Sequence, residues 1–146
     1  NQVIMLLISI ILLENLKNDE TGNNNLKALV LGTGGASKAV IYGLKQLGVD
    51  ITLVSRNAGD GIITYVDLTK EIYKSHRVIV NTTPLGMFPE VNSCPDIDYS
   101  EISERHLLYD VVYNPDSTLF LKKGNERGAV VMNGLQMLHL QALEAW

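Results

Sequence analysis

The run Leu26-Lys-Ala-Leu-Val-Leu-Gly-Thr-Gly-Gly-Ala-Ser-Lys-Ala-Val40 sets three closely spaced glycines, Gly32, Gly34 and Gly35, directly after a short apolar stretch. The chemistry open to such residues is anion binding by the main chain. Without Cβ atoms, the backbone of Gly32-Thr33-Gly34-Gly35-Ala36 can close on phosphate oxygens, and a helix opening there offers unpaired N–H groups with partial positive charge. The next dozen residues carry that helix. Ala36, Ala39, Val40, Gly43, Leu44 and Leu47 recur at the offsets of one helical face, and Gly48 stands where a helix stops. A glycine turn alone is a weak sign, because every fold contains them. Strand, turn and helix in this order make the cradle of a dinucleotide's pyrophosphate.

A second group lies at the exit of the next apolar run, Asp50-Ile-Thr-Leu-Val-Ser-Arg-Asn57. Sites for an unphosphorylated ribose carry Asp or Glu at this exit, accepting hydrogen bonds from the 2′-hydroxyl. Asp50 is at the wrong end of the run and reads as a turn residue. Arg56, between Ser55 and Asn57, is placed to pair with a 2′-phosphate or to stack on adenine. That predicts NADP over NAD, a solvated surface arginine being the alternative.

These residues need a scaffold that brings strand exits together. Short apolar runs at 27–31, 50–54, 78–80, 107–112 and 129–132 alternate with helical stretches near 35–47, 67–75, 100–105, 117–126 and from 134 onward, with a glycine turn (Gly59, Gly61) leading through 62–66. The pattern predicts an α/β, Rossmann-like, doubly wound and mostly parallel sheet with helices on both faces. Ligands in such sheets sit at the carboxyl ends of strands. Asn81-Thr-Thr-Pro-Leu-Gly-Met87 and Tyr113-Asn-Pro115 fall at those ends, and the pre-proline Thr pair, Thr82 with Thr83, suits a cofactor-lining loop. Gly134, Met137 and Gln141 share one stripe of the final helix, beside a core stripe of Leu135, Leu138, Ala142 and Trp146. Gln141 is then either a polar reader in the cleft or a solvated helix residue; Tyr113 is either a site residue or a turn aromatic. Asp110, inside a run that otherwise reads as buried, is expected to anchor backbone rather than move protons.

Composition sets the bounds. The chain has 146 residues, 46% hydrophobic, which suits one domain with an ordinary core. A net charge of -4 with scattered basic residues gives no stripe for nucleic acid. The single cysteine, Cys94, excludes an internal disulfide and points to a reducing cytoplasm. Three well-separated histidines offer no metal-ligand spacing. Residues 3–13 are apolar except Ser9, yet as a helix they reach only about 16 Å against a hydrocarbon core of about 30 Å, so no membrane span is expected. No basic segment precedes them, which argues against a signal peptide. We expect a helix buried between two domains, with a hydrophobic artefact of truncation as the alternative, followed by a polar linker at 17–25. Residues 1–25 thus read as the remnant of an interdomain connection and 26–146 as a nucleotide-binding domain. Left exposed, 3–13 would invite self-association into a homo-oligomer.

Taken in order, Gly-Thr-Gly-Gly-Ala-Ser-Lys-Ala (32–39), Asn-Thr-Thr-Pro-Leu-Gly-Met (81–87), Tyr-Asp-Val-Val-Tyr-Asn-Pro with Thr118 (109–118) and Asn-Gly-Leu-Gln-Met-Leu-His-Leu-Gln-Ala (133–142) resemble the C-terminal, NADP-binding domain of shikimate dehydrogenase. Members of that family reduce 3-dehydroshikimate to shikimate with NADPH. The resemblance implies that residues 32–36 hold the pyrophosphate and that Arg56, with Ser55 and Asn57, meets the adenosine phosphate. It implies that Val111 lies against the nicotinamide, that Gly134 lets the cofactor approach the last helix, and that Tyr113 and Gln141 reach the substrate. Asp60 stands where the family often has a second basic residue, which implies a weaker phosphate clamp. The family's acid–base lysine and aspartate belong to a separate N-terminal substrate domain, in motifs resembling Asn-Val-Thr-x-Pro-x-Lys and Asn-Thr-Asp. Neither motif occurs here, so no catalytic residue is assigned, and the chain by itself is expected to bind cofactor without turnover. A stand-alone NADP-binding module is the competing reading. Methylene-tetrahydrofolate dehydrogenase, a related two-domain reductase, fits the terminal Met-x-x-x-Gln-Ala helix less well.

Overall fold

Ala28 to Leu31 carry no polar side chain and are all completely buried, as a strand covered on both faces requires. They belong to β1 (Lys27–Leu31), which lies at the centre of a six-stranded sheet. The computed structural model describes residues 26–134. Its other strands are β2 (Asp50–Ser55), β3 (Ile62–Thr64), β4 (Val78–Asn81), β5 (Leu107–Asp110) and β6 (Val130–Asn133), in the order β3-β2-β1-β4-β5-β6. Every neighbouring pair runs parallel, so among the described residues the sheet is wholly rather than mostly parallel. The winding reverses between β1 and β4, and the crevice beyond their carboxyl ends is where such sheets take ligands.

Alternation along the strands feeds two cores. On one face, Ala28, Val30, Val78, Val80, Leu107 and Tyr109 pack with Val40 and Leu44 of α1 (Gly35–Gln46). On the other, Leu29, Leu31, Ile79 and Leu108 meet Tyr73 of α2 (Lys70–Ser75) and Phe120 and Leu121 of α3 (Leu119–Glu126). Each large apolar side chain so enclosed contributes about 1.5–3 kcal/mol. The helices begin differently. Thr69 caps α2 by accepting from the Ile72 N–H (3.3 Å), and Thr118 caps α3 by accepting from the Leu121 N–H (3.4 Å). No side chain caps α1.

Parallel neighbours usually need a crossover of about a dozen residues or more. Between β2 and β3 only residues 56–61 intervene, yet Leu53, Val54 and Ser55 stand level with Ile62, Ile63 and Thr64. A tight turn makes this possible: Gly59 and Ile62 exchange backbone hydrogen bonds (3.2 and 3.1 Å) around Asp60 and Gly61, with Gly61 at φ +73°. The run 62–66 thus divides into β3 and a 3-10 turn at Tyr65–Asp67. The helix expected near 100–105 is a single 3-10 turn, Tyr99–Glu101, and the strand expected to reach 112 stops at Asp110. There the Asp110 carboxylate takes the Val112 N–H (3.0 Å) away from the ladder. Gly134 is helical; the rest of the expected final helix, with Met137 and Gln141, lies outside the described residues, as do the apolar segment 3–13 and the linker 17–25. No helix among the described residues is long and apolar enough to cross a membrane.

Candidate functional site

An open cleft of about 810 Å³ lies beyond the carboxyl ends of β1, β2, β3 and β4. Its floor is the turn Gly32-Thr33-Gly34. Gly32 sits at φ +105°, donates its N–H to Val54 O (2.8 Å), and has Thr82 and Thr83 pressed against it. A Cβ there would come 2.7 Å from Thr82 Oγ1 and 2.9 Å from Thr83 Cγ2, so only glycine fits. Gly34 then opens α1 with extended backbone, no capping side chain and no acidic residue in the first turn. Ser37 satisfies itself, donating both its N–H (3.2 Å) and its hydroxyl (2.6 Å) to Gly34 O. Gly35 and Ala36, both exposed residues, therefore open the helix at its positive end. That end suits an anion.

One wall carries Ser55 at the end of β2 with exposed Arg56 just after it, and Thr64 at the end of β3 with Tyr65 and Val66 just after it. Thr64 has its hydroxyl and its N–H committed to Asp67 Oδ2 (2.9 Å each), which holds the Asp67 carboxyl below its ordinary range. Burial raises the Tyr65 hydroxyl above its usual range; Asp96 adds to that and Arg56 opposes it, so the cleft holds one charge of each sign near this ring. The far wall is Thr82, Thr83, Pro84 and Leu85, with Cys94 and Asp96. Thr82 is buried and donates its hydroxyl (2.6 Å) and N–H (2.9 Å) to Leu31 O, which ties this loop to the end of β1. The segment carrying Asp96 is tied by Tyr99 Oη donating to Pro95 O (2.8 Å) and by the Asp98 N–H donating to Tyr73 Oη (2.8 Å).

Of the site residues expected from sequence, Gly32, Thr33, Gly34, Ser55, Arg56 and Thr82 share this cleft. Gly35, Ala36, Asn57, Val111, Tyr113 and Gly134 are not on its walls, and Gln141 falls outside the described residues. Gly134 has a local cause of its own: a Cβ there would collide with the Val111 carbonyl. Tyr113 is exposed on the loop after β5, beside the Phe88 N–H to Asn114 O bond (2.9 Å). Asp110 is completely buried and accepts from Val112, Thr118 and Asn81. Burial raises its carboxyl above 3.8 against the pull of those three donors. Sequence reasoning missed Thr64, Tyr65, Val66, Cys94 and Asp96. The exit of β3 was a findable signal once that strand was recognised; Cys94 and Asp96 stand in irregular chain with no period to mark them.

No family model matches the chain. Among curated proteins, a shikimate dehydrogenase (NADP(+)) of Caldicellulosiruptor bescii is 36% identical over 132 residues, covering 82% of this chain and 46% of the relative. One from Carboxydothermus hydrogenoformans is 33% identical over 156 residues, covering 90% and 53%. The chain is a homologue of shikimate dehydrogenases. A crystal structure of the Thermus thermophilus shikimate 5-dehydrogenase, in complex with NADP(H) and shikimate, superimposes with a TM-score of 0.65 at 31% identity over 89% of this chain and 51% of that one. The chain thus spans about half the length of the shikimate dehydrogenases it matches. Its six-stranded parallel sheet with helices on both faces is the Rossmann-like fold of these neighbours.

Proposed function

We propose that this chain is the NADP-binding part of a shikimate dehydrogenase, an oxidoreductase that reduces 3-dehydroshikimate to shikimate with NADPH. The observation that carries the reading is the uncapped opening of α1 behind a glycine held at φ +105°, with Arg56 on the same cleft. In this reading the Gly34, Gly35 and Ala36 amides meet the pyrophosphate, while Arg56, with Ser55 and Asn57, selects the 2′-phosphate. Val111 and Gly134 border the nicotinamide, and Tyr113 and Gln141 face the substrate. The bound cofactor supplies the hydride; this chain's residues bind and orient it.

Acid–base groups for the carbonyl belong, in this proposal, to a substrate domain outside these 146 residues, and the whole enzyme works in the cytoplasm. Acid–base catalysis commonly contributes about 10²–10⁴-fold. The test is a titration of the purified chain with NADPH and NADH by fluorescence, alongside NADP with shikimate followed by absorbance. We expect NADPH to bind more tightly than NADH, and no shikimate-dependent reduction of NADP. Equal binding of both nucleotides overturns the 2′-phosphate assignment. Turnover by this chain overturns the need for outside groups.

A further inference from the structure

The geometry points to a hydrogen-bonded relay, running from the cap of α3 through β5 and β4, that sets the shape of the nucleotide cleft, with Asp110 and Asn81 as its positioning residues. The relay starts at the cap of α3. Thr118 Oγ1 donates to Asp110 Oδ2 (2.7 Å) while accepting from the Leu121 N–H. Asp110 Oδ1 accepts from the Val112 N–H (3.0 Å) and from Asn81 Nδ2 (3.2 Å). With its amide nitrogen fixed by the carboxylate, Asn81 must turn Oδ1 the other way. There it accepts from the Thr83 N–H (3.0 Å) and hydroxyl (2.7 Å), and Thr83 Oγ1 in turn accepts from the Leu85 N–H (3.3 Å).

Both ends of this chain of contacts matter. Thr83 and Leu85 line the cleft, and Thr83 Cγ2 lies against Gly32, where the phosphate turn leaves no room. Position 110 needs an ionised carboxylate for a plain reason: it faces three donors and must supply acceptors only. An amide at 110 would point an N–H₂ at one of them. Position 81 needs a carboxamide, donor on one side and acceptor on the other; a second carboxylate would face Asp110 directly. A buried network satisfied at every member specifies one geometry, and cutting one bond frees the rest. The inference rests on the nucleotide-binding reading only for its affinity arm.

The test compares two capping threonines. Thr118→Val cuts the relay, Thr118→Ser keeps the hydroxyl, and Thr69→Val removes the cap of α2, which is not part of the relay. Each purified chain is titrated with NADPH, and ligand-free amide exchange is followed at Thr83, Leu85 and Val112. For Thr118→Val we expect about tenfold weaker NADPH binding or worse, with faster exchange at all three amides. For Thr118→Ser and Thr69→Val we expect affinity within about twofold of the parent. If Thr118→Val fails to fold, Thr83→Val cuts the relay at its half-buried end and is expected to speed Leu85 exchange and weaken NADPH binding alike. Unchanged exchange at Thr83 and Leu85 in Thr118→Val, or at Leu85 in the fallback, overturns the relay. Equal weakening by Thr69→Val does so too, by reducing the effect to general stability. A parent chain that binds no NADPH overturns the proposed function instead, and the exchange arm still decides this inference.

Discussion

In the proposed function, Arg56 and Gly32 divide the work of recognition between charge and shape. Arg56 is the guanidinium on the cleft wall, and Arg56→Ala should weaken NADP binding by about 1.5–3 kcal/mol while leaving NAD nearly untouched. Titrating both nucleotides checks it; an unchanged ratio refutes the role. Gly32 acts by absence. Gly32→Ala places a Cβ against Thr82 and Thr83 in backbone that L residues avoid, a strain on the order of 1–3 kcal/mol, and should cost both stability and nucleotide affinity. Urea unfolding and an NADPH titration of this variant measure the two losses. Single residues were legible from sequence where one residue type answers one geometric demand, as at Gly32; Asp110, expected to anchor backbone, accepts one backbone N–H and two side-chain donors. Thr82 was legible only by position: its hydroxyl turns inward to Leu31 O, a partner fifty-one positions away that no local pattern reveals.

At the scale of elements, strands read well because Ala28–Leu31 and Val78–Val80 are covered on both faces and so apolar at every position. The stretch from 88 to 106 read poorly, since it is held by side chain to main chain bonds with no period, such as Tyr99 Oη to Pro95 O. Two buried histidines anchor the amino ends of β4 and β5. His76, just before β4, accepts at Nε2 from Thr52 Oγ1 (2.8 Å) and donates from Nδ1 to Ile72 O (2.8 Å). His106, just before β5, donates from Nε2 to Tyr73 O (2.7 Å) and accepts at Nδ1 from the Ser103 N–H (3.1 Å). Burial holds both below the ordinary 6.5, so both fold as neutral rings. The unfolded chain takes up protons first as pH falls; stability should be complete above 6.5 and decline below it toward the lowered values. Asp110, raised above 3.8, acts in the opposite sense in the acid range. Urea midpoints at about pH 7.5 and 5.5 measure the slope, and replacing both histidines by glutamine should flatten it.

For the whole molecule, a sheet covered at its centre and thin at one margin would join folding to binding in the proposed function. β3 is three residues long, is held by three register pairs and a six-residue link, and still supplies Thr64, Tyr65 and Val66 to the cleft. The margin expected to fray first is therefore also a wall of the candidate cleft. A dinucleotide spanning from the glycine floor to that margin would act as a hem, stitching the loosest strand to the most rigid one. Heat resistance gained on saturation should then be concentrated in the protection of 62–64, so the fraying of one short strand becomes a gauge of occupancy.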